Sequence, residues 1–300
     1  MKAAIVLTKT LGDIVILNTL CNEVKERWTE SEIDVFVNQE YREIVENNPN
    51  IKNVLCMTTW DLILYKVSTE GYDKVMIPAQ TTREDNIWHQ IEKHRHQHLV
   101  DFYAKRCGLG EIKNRRLYMY PGNKWRHEPD NKTVAFHTTT LVKAKNWTGM
   151  SELASRIGKE GYSISQVGML GDSELSAEKK DLRGTMTINE MANYLSKCRA
   201  FVGLDSGTSY IAAAMGIPTF CVMGATIPKT SGPFGDNVTY LLSDTVPECI
   251  VLRCHSECRF NKPCIEMMKT ETAFSSIMAV LGNGIRKVSE ETVESPICNA

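Results

Sequence analysis

The 300-residue chain is 42% hydrophobic and 24% charged, the composition of an ordinary globular protein, and its formal net charge is −1. A net charge this close to zero argues against wholesale electrostatic attraction to nucleic acid or anionic membranes. The length exceeds the ~100–200 residues that one hydrophobic core typically uses, so we expect two domains.

Neither a secretory signal nor a membrane span is evident in the sequence. The apolar run at the N-terminus covers only residues 3–7, which is too short for a signal sequence. No run approaches the ~20 apolar residues that a transmembrane helix needs. We therefore expect a cytoplasmic protein, in which most of the ten cysteines are reduced thiols.

The first part of the chain alternates between strand-type and helix-type patterns. This alternation predicts an α/β fold in which helices cover both faces of a parallel sheet. Gly12 and Asp13 lie at the first turn from strand to helix, where Asp13 could also serve only to cap the helix. We predict strands at 3–7, 33–37, 53–56 and 74–77, and helices at 14–27, 41–46 and 88–107.

A second α/β unit follows a stretch rich in Pro, Gly and charged residues at 120–133, which we interpret as a linker. The predicted domains are therefore 1–125 and 126–300. Thr187 and Glu190 have the spacing of a capping box, which predicts a helix running from there to Cys198.

The stretch 202–218 carries the strongest local signal. It consists of a buried strand, the turn Asp205-Ser206-Gly207-Thr208, an alanine-rich helix and the stop signals Gly216 and Pro218, and a second strand follows. Such a βαβ unit brings the turn to the carboxyl edge of a parallel sheet. Free N–H groups and the helix dipole favour an anion there, although Asp205 and Ser206 could simply cap the helix.

Three segments together point to one family. They are the Gly12-Asp13 turn with its helix, the segment Lys143-Ala144-Lys145-Asn146-Trp147, and a long region from Thr187 through Asp205-Ser206-Gly207 to Gly232-Pro233. In content and order they resemble glycosyltransferase family 9, which contains the ADP-heptose:lipopolysaccharide heptosyltransferases. One position departs from the family pattern, because Tyr210 stands where the family usually has histidine.

The resemblance implies a GT-B enzyme, with two Rossmann-like domains facing each other across a cleft. It implies an acceptor on the N-terminal domain, a nucleotide sugar on the C-terminal domain, and metal-independent, inverting transfer. The favoured donor is an ADP-linked, heptose-like sugar, and the favoured acceptor is a glycan or lipopolysaccharide core reached by peripheral contact with the inner membrane.

Physical chemistry and the resemblance together suggest roles for individual residues. Asp13 would be the general base that takes the proton of the acceptor hydroxyl. Lys145 would stabilise the leaving diphosphate, although most lysines simply face solvent. The expected donor-binding residues are Gly12, Thr187, Glu190, Asp205, Ser206, Gly207, Thr208, Ser209 and Thr226, of which Thr187 and Glu190 are also explained by their capping box.

Histidines and cysteines form two further clusters. His94 and His98 have the i,i+4 spacing that could share a metal on one helix face, but an acceptor-contacting polar face is the better interpretation. Four cysteines within sixteen residues suggest a structural zinc or iron site, with disulfides and unpaired thiols as alternatives. They are Cys249, Cys254, Cys258 and Cys264.

Other functions remain open on the sequence alone. Residues 81–127 carry ten Lys and Arg against five Asp and Glu, which suits an acidic acceptor but is also typical of a solvated helix face. A phosphorylated glycan or a modified nucleic-acid base is therefore an alternative acceptor, and the resemblance adds protein hydroxyls as another, because some members of the family modify proteins. A nucleotide-sugar-binding protein without turnover is an alternative of another class, against which Asp13 and Lys145 argue.

Overall fold

The computed structural model describes residues 1–57, 59–79, 97–224, 226, 228, 230–243 and 263–288. Every strand pairing in these ranges is parallel, and the strands form two separate sheets of four and six strands. The predicted α/β class is thereby confirmed. Among the described residues, no helix combines the length and apolar character that a membrane span requires.

The first sheet has the strand order β3-β2-β1-β4. Its central strand β1 is flanked by β2 and β4 and contains the buried run 3–6, as expected for a strand that helices cover on both faces. The elements of this half are β1 (Lys2–Val6), α1 (Leu11–Arg27), β2 (Glu32–Val37), a 3₁₀ turn (Gln39–Tyr41), α2 (Arg42–Val45), β3 (Asn53–Cys56), α3 (Trp60–Thr69), β4 (Lys74–Met76) and α4 (Leu99–Arg106).

The second sheet has the order β10-β9-β8-β5-β6-β7, which is the doubly wound order of a Rossmann fold. Its two central strands, β5 and β8, are fully buried. The elements of this half are β5 (Thr133–Phe136), a 3₁₀ turn (Lys143–Lys145), α5 (Met150–Lys159), β6 (Ser163–Gln166), β7 (Lys180–Asp181), α6 (Ile188–Ser196), β8 (Ala200–Leu204), α7 (Gly207–Ala214), β9 (Thr219–Val222), β10 (Val238–Leu241), α8 (Pro263–Glu266) and α9 (Thr270–Val288).

One predicted helix begins later than its sequence pattern indicated. The prediction ran from residue 88 to 107, whereas α4 begins at Leu99; residues 80–96 lie outside the described ranges. His98 is the N-cap residue, in extended conformation, and its Nδ1 accepts a hydrogen bond from the Val100 N–H at 3.2 Å. Histidine is not among the preferred N-cap residues, so the sequence carried no start signal at this position.

Candidate active site

The candidate site lies where the strand order of the second sheet reverses. This switch point falls between β5 and β8, and ligands of doubly wound sheets bind outside the carboxyl ends of such strands. Asp205 and Ser206 directly follow β8, and His137 directly follows β5. The predicted succession of strand, turn, helix and strand over 202–222 is confirmed by β8, α7 and β9.

The N-termini of α1 and α7 meet between the two halves of the chain, and a glycine permits the contact on each side. A Cβ atom on Gly12 would lie 3.1 Å from Tyr210 Cδ2, and one on Gly207 would lie 2.4 Å from Leu11 Cδ2. A separation of 2.4 Å is far below van der Waals contact, so Gly207 is required for this close approach. The structure thus brings the predicted turns of the two domains together.

Asp13 is held at both carboxylate oxygens. It is the third residue of α1, and its Oδ2 accepts hydrogen bonds from the Thr10 backbone N–H at 3.0 Å and the Thr10 hydroxyl at 2.7 Å. The Tyr103 hydroxyl donates to Oδ1 at 2.7 Å. Burial, followed by the nearby Asp13 carboxylate, raises the pKa of Tyr103 well above its usual value, so Tyr103 remains a donor. Asp13 therefore combines a capping role with a fixed orientation.

Lys145, Asp205 and Thr226 form a compact cluster. The Lys145 Nζ lies 2.6 Å from Asp205 Oδ2, and the Thr226 hydroxyl donates to the same oxygen at 2.5 Å. The side chains of Asp205 and Lys145 are only 5% and 16% exposed. A charge this buried needs a partner, so each member of the ion pair stabilises the other in place. The structure thus unites two residues that are 60 positions apart.

The first turn of α7 has an unusual cap. Ser206 occupies the N-cap position, but its side chain makes no capping hydrogen bond. Its Oγ lies instead 3.1 Å from His137 Nδ1. Ser209 is fully buried and uses its hydroxyl on the Leu204 carbonyl at 2.5 Å, while its N–H donates to the Ser206 carbonyl at 3.1 Å. Ser209 therefore stabilises the turn through hydrogen bonds to its backbone carbonyls.

Tyr210, which departs from the family pattern, has a defined contact in the structure. Its buried hydroxyl accepts a hydrogen bond from the Gly232 backbone N–H at 2.9 Å. Burial raises its pKa well above the usual value, and the carboxylates of Asp205 and Asp13 add to this effect. Tyr210 therefore stays protonated between the two carboxylates and fixes the loop that contains Gly232.

A second contact fixes the same loop from the N-terminal half. The Nε2 of His98 lies 3.1 Å from the Gly232 carbonyl, and the Leu99 N–H donates to the Thr230 carbonyl at 2.9 Å. Because His98 Nδ1 accepts from Val100, the proton of the neutral ring is on Nε2. Burial, followed by the positive charge of Arg115, lowers the pKa of His98 to about 4. The contact thus involves a neutral imidazole that connects the two halves.

Thr187 and Glu190 form the predicted capping box. The Thr187 N–H donates to Glu190 Oε2 at 2.8 Å, and the Glu190 N–H donates to the Thr187 hydroxyl at 3.3 Å. The helix that they begin, α6, ends at Ser196 rather than Cys198. Its first turn faces the N-terminal half, because the Asn189 N–H donates to Glu43 Oε2 at 3.1 Å.

Sequence reasoning missed His137 and Asp172. The Nε2 of His137 lies 3.4 Å from Asp172 Oδ2, and both side chains are largely buried. A signal was present, because each polar residue follows a strand at the carboxyl edge that holds Asp205. His137 comes directly after β5, and Asp172 comes six residues after β6.

Most members of the predicted histidine and cysteine clusters lie outside the described residues. This applies to His94, Cys249, Cys254 and Cys258. Cys264 is half-buried in α8. Within the described ranges, no three His, Cys, Asp or Glu side chains are grouped as metal ligands. His98 does not present its ring for metal binding, because both ring nitrogens have hydrogen-bonding partners in the chain.

Comparison with known proteins agrees with this geometry. Residues 122–259 match the model of glycosyltransferase family 9 (heptosyltransferase). A similar protein is lipopolysaccharide heptosyltransferase 1 of Pseudomonas aeruginosa, 30% identical over 120 residues, which are 37% of this chain and 34% of that protein. The alignments thus span about a third of the length of the first curated relatives.

Solved structures resemble the chain over almost its whole length. A family 9 glycosyltransferase from Veillonella parvula superposes with a TM-score of 0.74 at 15% identity, covering 94% of this chain and 97% of that one. The dodecameric, iron-containing heptosyltransferase TibC from enterotoxigenic Escherichia coli, solved with ADP-D-β-D-heptose, superposes with a TM-score of 0.72 at 14% identity. That match covers 95% of this chain and 77% of TibC. The fold is therefore GT-B, and the sequence of residues 122–259 resembles that of the heptosyltransferase-like glycosyltransferase family 9.

Proposed function

We propose that the protein transfers a heptose-like sugar from an ADP-linked donor to a hydroxyl group of a glycan or lipopolysaccharide-type acceptor. The observation that carries this proposal is that Tyr210 lies against Gly12, next to Asp13, and close enough to the Lys145–Asp205 pair that both carboxylates add to the burial that raises its pKa. A base on one domain and an anion-binding turn on the other are the two parts that glycosyl transfer from a diphosphate needs. The names of the similar proteins support the choice of sugar and nucleotide.

The donor diphosphate would lie at the N-terminus of α7. Gly207 and Thr208 are in its first turn, to which the Ser206 side chain makes no capping hydrogen bond. The helix dipole favours an anion here by about 0.3–1 kcal/mol per charge, and by up to ~2 kcal/mol in a partly buried site. Lys145 adds a full positive charge next to the turn, which would stabilise the leaving diphosphate without a metal ion.

Asp13 would act as general base. In the proposed step it takes the proton of the acceptor hydroxyl, whose oxygen forms a bond to the anomeric carbon. The bond from that carbon to the diphosphate breaks on the opposite side, its electron pair leaves with the diphosphate, and the configuration is inverted. Among the described contacts, Oδ2 accepts two hydrogen bonds and Oδ1 accepts one, so Oδ1 is the oxygen that we assign to the acceptor.

The remaining donor contacts follow from the same placement. Asp205 and Thr226 would bind a sugar hydroxyl, because their polar atoms converge beside Lys145. Gly12 would contribute indirectly, by letting the Tyr210 ring pack against the start of α1. Thr187 and Glu190 would reach the ribose from the first turn of α6, in addition to their capping role.

A turnover assay tests this proposal against a binding protein without activity. Purified protein is incubated with ADP-heptose and with other nucleotide sugars, and the release of free nucleotide is measured with and without glycan acceptors. We expect slow hydrolysis with ADP-heptose alone and faster release with the correct acceptor. Tight binding of ADP-heptose, with no release under any condition, would overturn the catalytic proposal and favour a binding protein.

The cysteine cluster gives a separate proposal. Cys249, Cys254, Cys258 and Cys264 would bind one structural zinc or iron ion through thiolates, as four cysteines close in sequence commonly do in a reducing compartment. Elemental analysis after anaerobic purification tests this. We expect close to one equivalent of one metal, and less than a tenth of an equivalent would overturn the proposal in favour of disulfides or free thiols.

A further inference from the structure

The hydroxyl of Ser206 is oriented by a buried imidazole rather than by the helix that it caps. Ser206 Oγ lies 3.1 Å from His137 Nδ1, and His137 Nε2 lies 3.4 Å from Asp172 Oδ2. The His137 and Asp172 side chains are 8% and 11% exposed, whereas Ser206 is half-buried. Asp172, His137 and Ser206, which follow three different strands, thus form a chain of contacts from a buried carboxylate to the proposed diphosphate site.

The loop after β6 is shaped to bring Asp172 onto His137. Gly168 has a φ of 131°, and a Cβ atom there would lie 2.2 Å from Asp172 Oδ2 and 2.9 Å from His137 Cδ2. The Met169 N–H donates to Asp172 Oδ2 at 2.8 Å, and the Arg183 guanidinium donates to the Asp172 carbonyl at 2.5 Å. Only glycine fits this position, so the loop conformation and the contact depend on each other.

The proton positions on His137 decide what Ser206 can offer to a ligand. When the ring is neutral and donates from Nε2 to Asp172, Nδ1 accepts a hydrogen bond from the Ser206 hydroxyl. Ser206 then offers a ligand only its oxygen lone pairs. The other neutral tautomer would turn the Nε2 lone pair toward the Asp172 carboxylate. The imidazolium also satisfies both neighbours, but as a donor to each of them, because it donates to Asp172 from Nε2 and to Ser206 from Nδ1. The Ser206 proton is then free to bond to an anion.

We propose that His137 is a positioning residue for the donor: protonated and paired with Asp172, it turns the Ser206 hydroxyl into a hydrogen-bond donor to the diphosphate. This inference rests on the proposed function. It predicts that binding of the donor diphosphate is coupled to uptake of one proton. The charged groups around the relay are Asp172, Arg183 on the Asp172 loop, and the Lys145–Asp205 pair next to Ser206.

The test measures the affinity for ADP-ribose as a function of pH. This probe carries the diphosphate as a diester, so it has no phosphate group that titrates near neutrality, unlike ADP itself. Calorimetry in two buffers of different ionisation enthalpy gives the number of protons taken up. We expect donor binding to the wild-type protein to be accompanied by proton uptake, and the Kd to rise with pH, by at most about tenfold per pH unit.

Two variants keep the test decisive. His137→Gln keeps an amide donor near Ser206 but does not titrate, so its affinity should be independent of pH over the range where imidazole titrates. Asp172→Asn should weaken the binding of ADP-ribose at a given pH, because the carboxylate that favours the imidazolium is removed. Circular dichroism and thermal melting confirm that each variant is folded.

The possible failures are distinguishable. If the wild type binds ADP-ribose without proton uptake, or if His137→Gln keeps the same pH slope, the inference is wrong while the proposed donor site stands. If the wild type binds neither ADP-ribose nor ADP, the diphosphate site itself is absent, and the proposed function is overturned together with the inference.

Discussion

Lys145 has two candidate roles that a pair of variants can separate. It either contacts the donor diphosphate, or it only neutralises the buried carboxylate of Asp205, 2.6 Å away. Lys145→Ala would leave Asp205, which is 5% exposed, with the Thr226 hydroxyl as its described partner. Breaking a buried ion pair costs about 3–5 kcal/mol. Because Lys145 is 16% exposed and water can enter, we expect a loss at or just below the lower end of this range, about 2–3 kcal/mol of unfolding free energy.

The double variant Lys145→Met with Asp205→Asn removes both charges at once. It should recover most of the lost unfolding free energy, since no buried charge remains unpaired. If Lys145 also contacts the diphosphate, ADP affinity should stay low in the double variant. A hydrogen bond to a charged group contributes about 1.5–3 kcal/mol, which corresponds to roughly a 10- to 150-fold higher Kd.

The assays are urea unfolding followed by circular dichroism and ADP binding by calorimetry. ADP is the appropriate probe because it lacks the sugar that we assign to Asp205. Recovery of both stability and ADP affinity in the double variant would show that Lys145 only neutralises Asp205. Loss of stability in Lys145→Ala by less than ~0.5 kcal/mol, the range of ordinary surface substitutions, would refute the estimate from burial.

Three further outcomes follow from hydrogen bonds near the site. Tyr103→Phe removes the hydrogen bond that orients the Asp13 carboxylate, so kcat/KM should fall by about tenfold, the equivalent of one hydrogen bond to a charged group, while ADP affinity is kept; an unchanged kcat/KM would contradict the role of Asp13 as base. Tyr210→Phe leaves the Gly232 N–H without its acceptor and should cost about 1–3 kcal/mol in urea unfolding, whereas an unchanged midpoint would show that water replaces the hydroxyl. The pKa of His98 is about 4 in the folded protein and near 6.5 in the unfolded chain, so between these values the unfolded chain binds more protons. The free energy of unfolding should therefore fall by up to about 3 kcal/mol as the pH drops from 6.5 to 4. This loss should be absent in His98→Gln.

The sequence predicted the parts of the site that lie in continuous motifs. The turn at Asp205, its helix and its flanking strands were readable because an apolar strand, turn residues and an alanine-rich helix follow one another without interruption. The capping box at Thr187 and Glu190 was equally local. The sequence shows glycines at 12 and 207, but it could not show why glycine is needed there. Each one accommodates a side chain from the other half of the chain.

Features that depend on distant contacts were not predictable. The pairing of His137 with Ser206 joins residues 69 positions apart, and the bond from Tyr103 to Asp13 joins residues 90 apart. The late start of α4 follows from His98, whose ring also lies within hydrogen-bonding distance of the Gly232 carbonyl 134 positions away. No local propensity encodes such contacts, because they arise only when segments far apart in the chain pack together.

The proposal as a whole is tested most directly by the release of ADP from ADP-heptose by the wild type and by Asp13→Asn. Asn has nearly the shape of Asp and can accept the Thr10 N–H, so the capping contribution is largely kept. Thr59→Ala removes the side-chain cap of α3, whose described hydrogen bond is to the Leu62 N–H and to no proposed site residue; it is the matched control for a lost cap and should turn over normally. We predict that Asp13→Asn binds ADP as tightly as the wild type does. It should form ADP from ADP-heptose about 10²–10⁴-fold more slowly. Turnover of Asp13→Asn within a fewfold of the wild-type rate would contradict the proposed mechanism.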